Sequence, residues 1–323
     1  MRAIVWRGYG PPQEVLAGGE AQVPAPGDDE VLVRVVAASI HAGDWLEVTG
    51  TPYAVRAASG LPKPRRTIPG RDVAGRVEAV GSKVAGFSVG DEVYGECLGA
   101  LAEFALGKPG RLAPKPAGLS FEEAAAMPTS GVTALKAVRD RGEVGPGTKI
   151  LVNGASGGVG TFAVQIAGAL GGEVTAVCST ANLDLVASLG ADRVIDYTRD
   201  DFTEGSERYD VILDNAGTRT LAETRRALVP NGILIPNNGT TGGKWFGTIG
   251  RIVGALVQSP FVGHRLRPFL ATTNRPDLET LAGFVEGGSL RPVVGATYPL
   301  AEAAAAFDRV GTGHAAGKVV LTV

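Results

Sequence analysis

A strand that turns through glycine into a helix is the feature of this sequence that most constrains its fold. Residues 148–160 read TKILVNGASGGVG, in which an apolar run is followed by glycine at positions 154, 157, 158 and 160. The next residues, TFAVQIAGALGG, place apolar side chains at helical spacing. The pattern predicts a β-strand, a turn of nearly bare backbone and an α-helix. Such a corner is a place where a phosphate can bind.

Strands and helices alternate on the C-terminal side of this corner. Six runs are predicted as strands: KILVNG, EVTAVCS, DRVIDY, YDVILDNAG, GILIPNNG and LRPFLAT. The helical candidates between and after them are 160–170, 182–189, 219–229 and 277–287. Alternation at this spacing predicts an α/β fold with a doubly wound parallel sheet. We assign residues 125–287 to this domain.

The first 124 residues follow another pattern, in which short β-branched runs are separated by Gly, Pro and Asp. Glycine accounts for 47 of the 323 residues, which is about twice the usual share, and much of it falls in these turns. The pattern predicts a small, partly closed β-barrel. Ser120 and Glu123 form a capping-box signature that predicts a helix start where the pattern changes. Because residues 293–323 return to β character, we expect 288–323 to complete the first domain.

The glycine corner fits the dinucleotide fingerprint, with Ala155, Gly157 and Gly160 at its three fixed positions and Ser156, Gly158 and Val159 between them. The first position makes the tight turn, the second lets the backbone approach a diphosphate, and the third lets the helix pack on the strand. A plain tight connection is the alternative. We favour dinucleotide binding because the corner follows a strand, opens a helix and begins a run of six strands.

The end of the second strand indicates which dinucleotide binds. An enzyme that uses NAD usually has a carboxylate there for the ribose 2′-hydroxyl. This chain has Cys178, Ser179 and Thr180 instead, and Tyr197 ends the next strand. With no acid to repel a 2′-phosphate, the sequence favours NADPH, with NADH as a possible alternative. The two hydroxyls also suit a plain helix N-cap, and both roles are compatible.

The order of these parts resembles the zinc-independent branch of the medium-chain dehydrogenase/reductase superfamily, and within it the quinone oxidoreductase-like members. The segments that carry the resemblance are PGRDVAGRVEAVG, NGASGGVG, SLGADRVIDY and the final GKVVLTV. The resemblance implies a GroES-like β-barrel catalytic domain, a Rossmann domain, NADPH in the cleft between them and a homodimer. Ala181 and Ala316 stand where the family often has basic residues, which implies weaker NADPH binding than in typical relatives.

Zinc-dependent members of the superfamily suggest where a metal would bind, and the ligands are incomplete here. His41 stands where a cysteine is expected, Arg71 and Asp72 replace a His-Glu pair, and no third ligand follows. A catalytic zinc needs three protein ligands, so we predict no metal. The two cysteines, Cys97 and Cys178, cannot form a disulfide framework and suit a reducing compartment.

Partners and location follow from charge and from the N-terminus. The net charge of −2 argues against nucleic acid and against a membrane surface bound by bulk electrostatics. No secretory signal or membrane-spanning stretch is apparent, so we expect a cytoplasmic protein without membrane insertion. Residues 249–263 are apolar and are predicted to pack as a helix in the protein or against a second subunit.

Candidate site residues come from the barrel edge and from the ends of the strands. His41 is a candidate proton or hydrogen-bond donor to the acceptor, and the equal alternative is a loop residue satisfied by backbone. Asp44 is expected to orient that loop, and Tyr53 is a second candidate donor for which packing is the more favoured role. The remaining predicted cofactor contacts are Thr129, Thr133, Asn215, Gly217, Asn237, Asn238, Leu270, Thr272 and Lys318.

The expected reaction is hydride transfer from NADPH to a quinone or an α,β-unsaturated carbonyl, since conjugation spreads the arriving charge onto oxygen without a metal. The first alternative is an alcohol dehydrogenase or ketone reductase of the same fold. A non-catalytic NADPH-binding protein is the second, because fold alone does not fix function.

Overall fold

The computed structural model describes residues 1–237 and 243–323, so the predicted contact Asn238 lies outside the described residues. The chain divides into two compact units: Met1–Val132 together with Thr272–Val323, and Thr133–Ala271. The first part of the chain contains β1 (Arg2–Trp6), α1 (Pro12–Val15), β2 (Leu16–Glu20), β3 (Val31–Ile40), α2 (Ala42–Thr49), a 3₁₀ turn (Tyr53–Val55), α3 (Arg56–Ser59), β4 (Asp72–Val80), β5 (Glu92–Leu98), β6 (Phe104–Pro114), α4 (Phe121–Ala125) and α5 (Pro128–Leu135).

Strands β3 to β6 close into a barrel. β3 pairs antiparallel with both β4 and β6, and β5 pairs antiparallel with the same two strands. Val33, Val73, Val93 and Leu112, one from each strand, are fully buried, as expected for alternate residues of strands that enclose a core. The barrel predicted from the turn-rich pattern is confirmed. The capping box is confirmed as well, because Ser120 Oγ accepts from Glu123 N and the Glu123 carboxylate accepts from Ser120 N.

The second unit is a parallel sheet with helical crossovers. A π-helical turn (Lys136–Arg141) leads to β7 (Lys149–Asn153), α6 (Gly158–Ala169), β8 (Glu173–Cys178), a 3₁₀ turn (Thr180–Asn182), α7 (Leu183–Ser188), β9 (Arg193–Asp196), β10 (Tyr209–Asp214), α8 (Leu221–Arg225), β11 (Leu228–Pro236), α9 (Gly243–Gln258), a 3₁₀ turn (Ser259–Phe261) and β12 (Arg265–Leu266). The strand order is β12-β11-β10-β7-β8-β9 and every pairing is parallel.

This order makes the sheet doubly wound, as predicted. The winding direction reverses between β7 and β10, and ligands of such sheets bind at the carboxyl ends of the strands beside that reversal. The central strands are buried on both faces, and Ile150, Leu151 and Val152 are fully inaccessible. Burial of each such side chain contributes about 1.5–3 kcal/mol, which explains why a continuous apolar run rather than an alternating one marks this strand.

Two predicted elements of the second unit are shorter than expected. The helix expected over 219–229 ends at Arg225, and the chain is already in β11 from Leu228. The strand expected from LRPFLAT is limited to Arg265–Leu266, which pairs with β11. Pro268 has no backbone N–H to donate, and it stands where further pairing would be needed.

The last part of the chain returns to the first unit. It consists of α10 (Arg275–Glu286), β13 (Val294–Pro299), a 3₁₀ turn (Leu300–Glu302), α11 (Ala303–Gly311) and β14 (Lys318–Thr322). β14 pairs antiparallel with β3 and parallel with β13, so the tail completes the first sheet as predicted.

The boundaries of the two units differ from the expected 124/125 and 287/288. Helix α10 was assigned from the sequence to the nucleotide-binding domain, yet it lies in the first unit. Tyr94, a buried residue of β5, donates its hydroxyl to Leu278 O at 2.6 Å, which holds α10 against the barrel. Among the described residues no helix combines the length and apolarity that a membrane span requires.

Candidate nucleotide-binding site and active site

The glycine corner has the geometry that its sequence predicts. Gly154, directly after β7, has a φ of +74°, a conformation that favours glycine. The amides of Gly154 and Ala155 both donate to Val177 O of β8, at 3.1 and 3.0 Å. A Cβ on Gly160 would lie 2.1 Å from Gly154 O, so only glycine lets α6 approach the strand this closely.

The first turn of α6 presents amides that are suited to an anion. Gly157 is the N-cap residue, and there is no acidic residue in the first turn. Gly158, Val159 and Gly160 occupy the first three helical positions, where amides have no intrahelical acceptor. A Cβ on Gly157 would find no described atom nearer than 3.5 Å, so the surface in front of these amides is kept open. The helix dipole adds to the attraction for a negatively charged group.

Asn182 links the corner to the end of β8, a role that the sequence did not reveal. Its Nδ2 donates to Ser156 Oγ and to Ser179 Oγ, each at 3.1 Å. Ser179 is the N-cap residue of the 3₁₀ turn that follows β8. Asn182 is the last residue of the segment VCSTAN, two residues after Thr180. This proximity to the two predicted hydroxyls is the sequence signal that could have identified it.

The edge predicted to hold the 2′-phosphate contains an acid, which corrects the expectation of none. Asp196, the last residue of β9, accepts from Thr180 Oγ1 at 2.6 Å. That hydrogen bond is the main cause that lowers the pKa of the Asp196 carboxyl, so the group is ionised at neutral pH. The Thr180 hydroxyl therefore connects two strand ends.

Cys178 and Tyr197 lie at the same edge of the sheet, on adjacent strands. The Cys178 side chain is buried, and burial raises its pKa to about 11, so it is a neutral thiol at pH 7. Tyr197 donates its backbone amide to Cys178 O at 3.1 Å, and its side chain is half exposed.

A polar network joins the carboxyl ends of β7, β10 and β11. Asp214 is fully buried, and its Oδ1 accepts from Asn153 Nδ2 at 2.8 Å and from Gly217 N at 2.9 Å. Asn237 Nδ2 donates to Asn215 Oδ1 at 2.9 Å. The structure thus brings together three predicted residues, Asn215, Gly217 and Asn237, through two residues, Asn153 and Asp214, that the prediction missed.

A buried ion pair supports this network. Arg251 of α9 donates from Nη2 to Asp214 Oδ2 and from Nη1 to Arg219 O at 2.6 Å. The side chains of the pair are 3% and 1% exposed, so the carboxylate and guanidinium depend on each other for charge compensation. In the sequence Arg251 lies within an apolar stretch, and no local pattern predicts its pairing with Asp214.

In the first unit, Asp72 is the centre of a second buried cluster. Its Oδ1 accepts from Thr129 N at 3.2 Å and from Thr129 Oγ1 at 2.5 Å. Ser39 Oγ donates to Oδ2 at 3.3 Å, and Lys318 Nζ lies 3.5 Å from the same oxygen. Lys318 is 2% exposed, and its ammonium has no hydrogen-bond partner among the described residues. Two predicted cofactor contacts, Thr129 and Lys318, are therefore held by one carboxylate.

His41 is the N-cap of α2, and Asp44 completes the cap. His41 Nδ1 accepts from Asp44 N at 3.3 Å, and Asp44 Oδ2 accepts from His41 N at 3.0 Å. Because Nδ1 is an acceptor, the neutral ring carries its proton on Nε2. Nε2 lies 3.3 Å from Asp44 Oδ2 but has no partner in hydrogen-bond geometry within the described chain. Burial raises the pKa of the Asp44 carboxyl, with an opposing effect from His41 and a smaller upward effect from Asp72.

Tyr53 stands beside a cation. The guanidinium of Arg56 lies 4.8 Å from the centroid of the Tyr53 ring and 4.7 Å from that of Tyr9, distances at which a cation–π attraction acts. The Tyr53 side chain is 38% exposed, so packing against Arg56 leaves part of it accessible.

Comparisons with known proteins agree with this geometry. A family model described as Alcohol dehydrogenase GroES-like domain matches residues 27–137, and one described as Zinc-binding dehydrogenase matches 189–321. A chloroplastic quinone-oxidoreductase homolog of Spinacia oleracea is 32% identical, over 99% of this chain and 98% of its own. The chain belongs to the quinone oxidoreductase-like branch of the medium-chain dehydrogenase/reductase superfamily. The predicted family is confirmed.

Two further quinone oxidoreductase-like proteins carry more specific names. The NADPH-dependent alkenal/one oxidoreductase of Arabidopsis thaliana is 33% identical, over 99% of this chain and 79% of its own. The Escherichia coli quinone oxidoreductase, solved in complex with NADPH, matches with a TM-score of 0.85 and 26% identity over the whole of both chains.

Three predicted contacts of this quinone oxidoreductase-like chain stay predictions. Thr133 is nearly buried in α5. Leu270 is 84% exposed, and Thr272 is exposed as well.

The residues of the corner fit a dinucleotide. Gly157, the N-cap of α6, has no side chain to cover the first turn of the helix, and Asn215 Nδ2 is buried without a described hydrogen-bond partner. Within residues 1–237 and 243–323, no three His, Cys, Asp or Glu side chains converge as metal ligands. Asp72 is one of the residues considered as a metal ligand. Its two carboxylate oxygens accept hydrogen bonds from Ser39 and Thr129 and form an ion pair with Lys318.

Proposed function

We propose that the chain is an NADPH-dependent oxidoreductase that reduces a quinone or an α,β-unsaturated carbonyl. The observation that carries the proposal is the glycine corner, where the open first turn of α6 stands beside the reversal point of a parallel sheet. The names of relatives, quinone oxidoreductase and alkenal/one oxidoreductase, support the choice of acceptor.

The second unit supplies binding and orientation. The amides of Gly158, Val159 and Gly160 would hold the diphosphate, because an anion replaces the missing intrahelical acceptors. The orphaned Asn215 Nδ2 is a donor for a polar group of the nucleotide. When bound, NADPH supplies the hydride. The network through Asp214 fixes Asn215 and Gly217 before the nucleotide arrives, which limits the ordering cost of binding.

The first unit supplies donors for the acceptor oxygen. His41 Nε2 carries a proton, and the atom nearest to it in an acidic side chain is Asp44 Oδ2 at 3.3 Å, outside hydrogen-bond geometry. Tyr53, which is 38% exposed, is the second candidate donor. A conjugated acceptor delocalises the charge that arrives with the hydride, so a hydrogen bond to its oxygen stabilises the product-like transition state. Asp72 positions Thr129, in the first turn of α5.

The direct test is NADPH oxidation by the purified chain, measured at 340 nm with quinones, enals, enones, simple ketones and nitro compounds. We expect turnover with quinones or enones and little with simple ketones. Faster oxidation of simple alcohols with NADP⁺ would instead indicate an alcohol dehydrogenase. Tight NADPH binding without turnover on any acceptor would indicate a non-catalytic protein.

We propose in addition that the protein forms a homodimer through α9. Val253, Leu256 and Val257 of this helix and Phe261 after it are 51–84% exposed, and a monomer rarely leaves such a contiguous apolar surface uncovered. Sedimentation analysis should show a dimer that Leu256→Glu dissociates. The matched control is Val89→Glu, which changes a similarly exposed apolar residue elsewhere. A wild-type monomer would refute this part.

A further inference from the structure

A series of polar contacts runs along the edge of the second unit, from the glycine corner to the loop after β9. Asn182 Nδ2, which also bonds the corner, donates to Ser179 Oγ at 3.1 Å. The next residue after Ser179 is Thr180, and its Oγ1 donates to Asp196 Oδ2 at 2.6 Å. Arg199 Nε lies 3.6 Å from that same carboxylate oxygen. Arg199, in the loop after β9, thus places a cation near the carboxyl end of β8.

The carboxylate of Asp196 is fully engaged by its own neighbours. Oδ1 accepts from Thr198 N at 3.0 Å and from Thr198 Oγ1 at 2.8 Å, while Oδ2 is shared by Thr180 and Arg199. An acid that selects NAD must offer free oxygens to the ribose hydroxyls. Three hydrogen bonds and the ion pair with Arg199 occupy this carboxylate, so we infer that Asp196 orients Arg199 instead of accepting from a ribose.

Arg199 has unused binding capacity. Its side chain is 73% exposed, and it makes no side-chain hydrogen bond to any described residue. A guanidinium has five donors in a planar fork that matches the oxygens of a phosphate. Nε approaches Asp196 at 3.6 Å, and neither terminal nitrogen donates a hydrogen bond to a described residue, so both are available to a ligand.

We propose that Arg199 binds the 2′-phosphate of NADPH and determines the preference for NADPH over NADH. The inference rests on the proposed function, because it requires the dinucleotide at the glycine corner. The phosphate adds negative charge beside an ionised Asp196, and the cation of Arg199 offsets the repulsion between them. NADH lacks the 2′-phosphate and gains nothing from this side chain.

Calorimetric titration tests the inference without turnover. NADPH, NADH and 2′,5′-ADP are titrated into the wild type and into Arg199→Ala. We expect the Kd of NADPH and of 2′,5′-ADP to rise about tenfold, the effect of one charge-assisted hydrogen-bonded contact, while the Kd of NADH stays the same. Added salt should weaken NADPH binding more in the wild type than in the variant, because exposed charges are screened.

Two further variants separate a specific contact from a general loss of positive charge. Arg193→Ala removes an exposed arginine of β9 that pairs with Glu207, and it should leave all three affinities unchanged. Ala181→Lys, added to Arg199→Ala, places a cation next to Thr180 and should restore part of the NADPH preference. Equal changes for NADPH and NADH, or no change for either, would overturn the assignment of Arg199. A wild type that binds no NADPH would overturn the proposed function and this inference together.

Discussion

Gly160 contributes both to the packing of α6 against the turn after β7 and to the predicted diphosphate site, because it has no side chain. Its Cα lies so near the turn that an added Cβ would lie 2.1 Å from Gly154 O and 2.7 Å from the backbone of Ala155. Backbone atoms of a turn cannot rotate away as a flexible side chain does. The same close approach aims the amides of the first turn at the corner, so packing and anion binding depend on one residue.

We therefore expect Gly160→Ala to destabilise the protein by about 2 kcal/mol or more, since overpacking against backbone costs this much, and to weaken NADPH binding. Gly168→Ala is the matched control, because Gly168 lies on the same helix with nothing within 4 Å of an added Cβ. The control should be neutral or stabilised by up to about 1 kcal/mol. Urea denaturation and NADPH titration provide both measurements, and similar results for the two variants would contradict the packing role.

His41 combines two separable roles at the start of α2, helix capping and donation from Nε2. His41→Ala should lose about 1 kcal/mol of stability because the N-cap is lost. It should lower kcat by about a hundredfold or more if the donor assists the reaction, and leave the Kd of NADPH unchanged. His41→Asn keeps a capping residue with a donor, so it should retain stability and part of the turnover. A His41→Ala enzyme that is less stable but turns over normally would limit His41 to capping.

At the scale of elements, α9 and the ends of three strands depend on one buried ion pair. Arg251 is the only residue of the described part of α9 whose side chain donates to Asp214, and Asp214 in turn holds Asn153 and Gly217. Breaking the pair would leave a buried carboxylate without its counter-charge. The geometry of the loop after β10 thus depends on a residue from a helix more distant in the chain.

Arg251→Met should destabilise the second unit by about 3–5 kcal/mol, the typical cost of leaving one buried charge unpaired. Asp214→Asn combined with Arg251→Met should recover part of that loss, because no net charge then stays buried. As a control, Arg219→Met removes a partly exposed cation that pairs with Asp201 and should have little effect. Denaturation midpoints measure all three, and a double variant worse than Arg251→Met alone would show that the hydrogen bonds outweigh the charge.

The sequence predicts the elements of this fold well and their side-chain partners poorly. The glycine corner and the central strands are marked by local signals, glycine spacing and unbroken apolar runs, so the sequence predicts them. Asp196 and Thr180 are on different strands, and only sheet pairing brings them together. Arg265–Leu266 is shorter than its apolar run because a proline interrupts the ladder. Periodicity reports burial and secondary structure, but it carries no information on which polar residues meet.

At the scale of the whole chain, the first unit is assembled from segments distant in sequence. The chain leaves this unit after Val132 and re-enters it at Thr272, and the final strand β14 pairs with β3. Lys318 of that strand thereby reaches Asp72, which also holds Thr129. Residues predicted as separate cofactor contacts share one carboxylate because the tail closes the sheet of the first unit.

Each unit has a hydrophobic core of its own, and we expect NADPH to stabilise the second core more than the first. Hydrogen exchange should slow by about a hundredfold at a ligand concentration of 100 times Kd, for amides that exchange by unfolding of the second unit. Peptides that cover β7 and β10 report that unit, and peptides that cover β4 report the barrel. The Gly160→Ala variant, for which we expect weak NADPH binding, should lose most of the protection at the same ligand concentration. Equal slowing in both sets of peptides would mean that the two cores unfold together, since a ligand stabilises every amide that exchanges through the same cooperative opening.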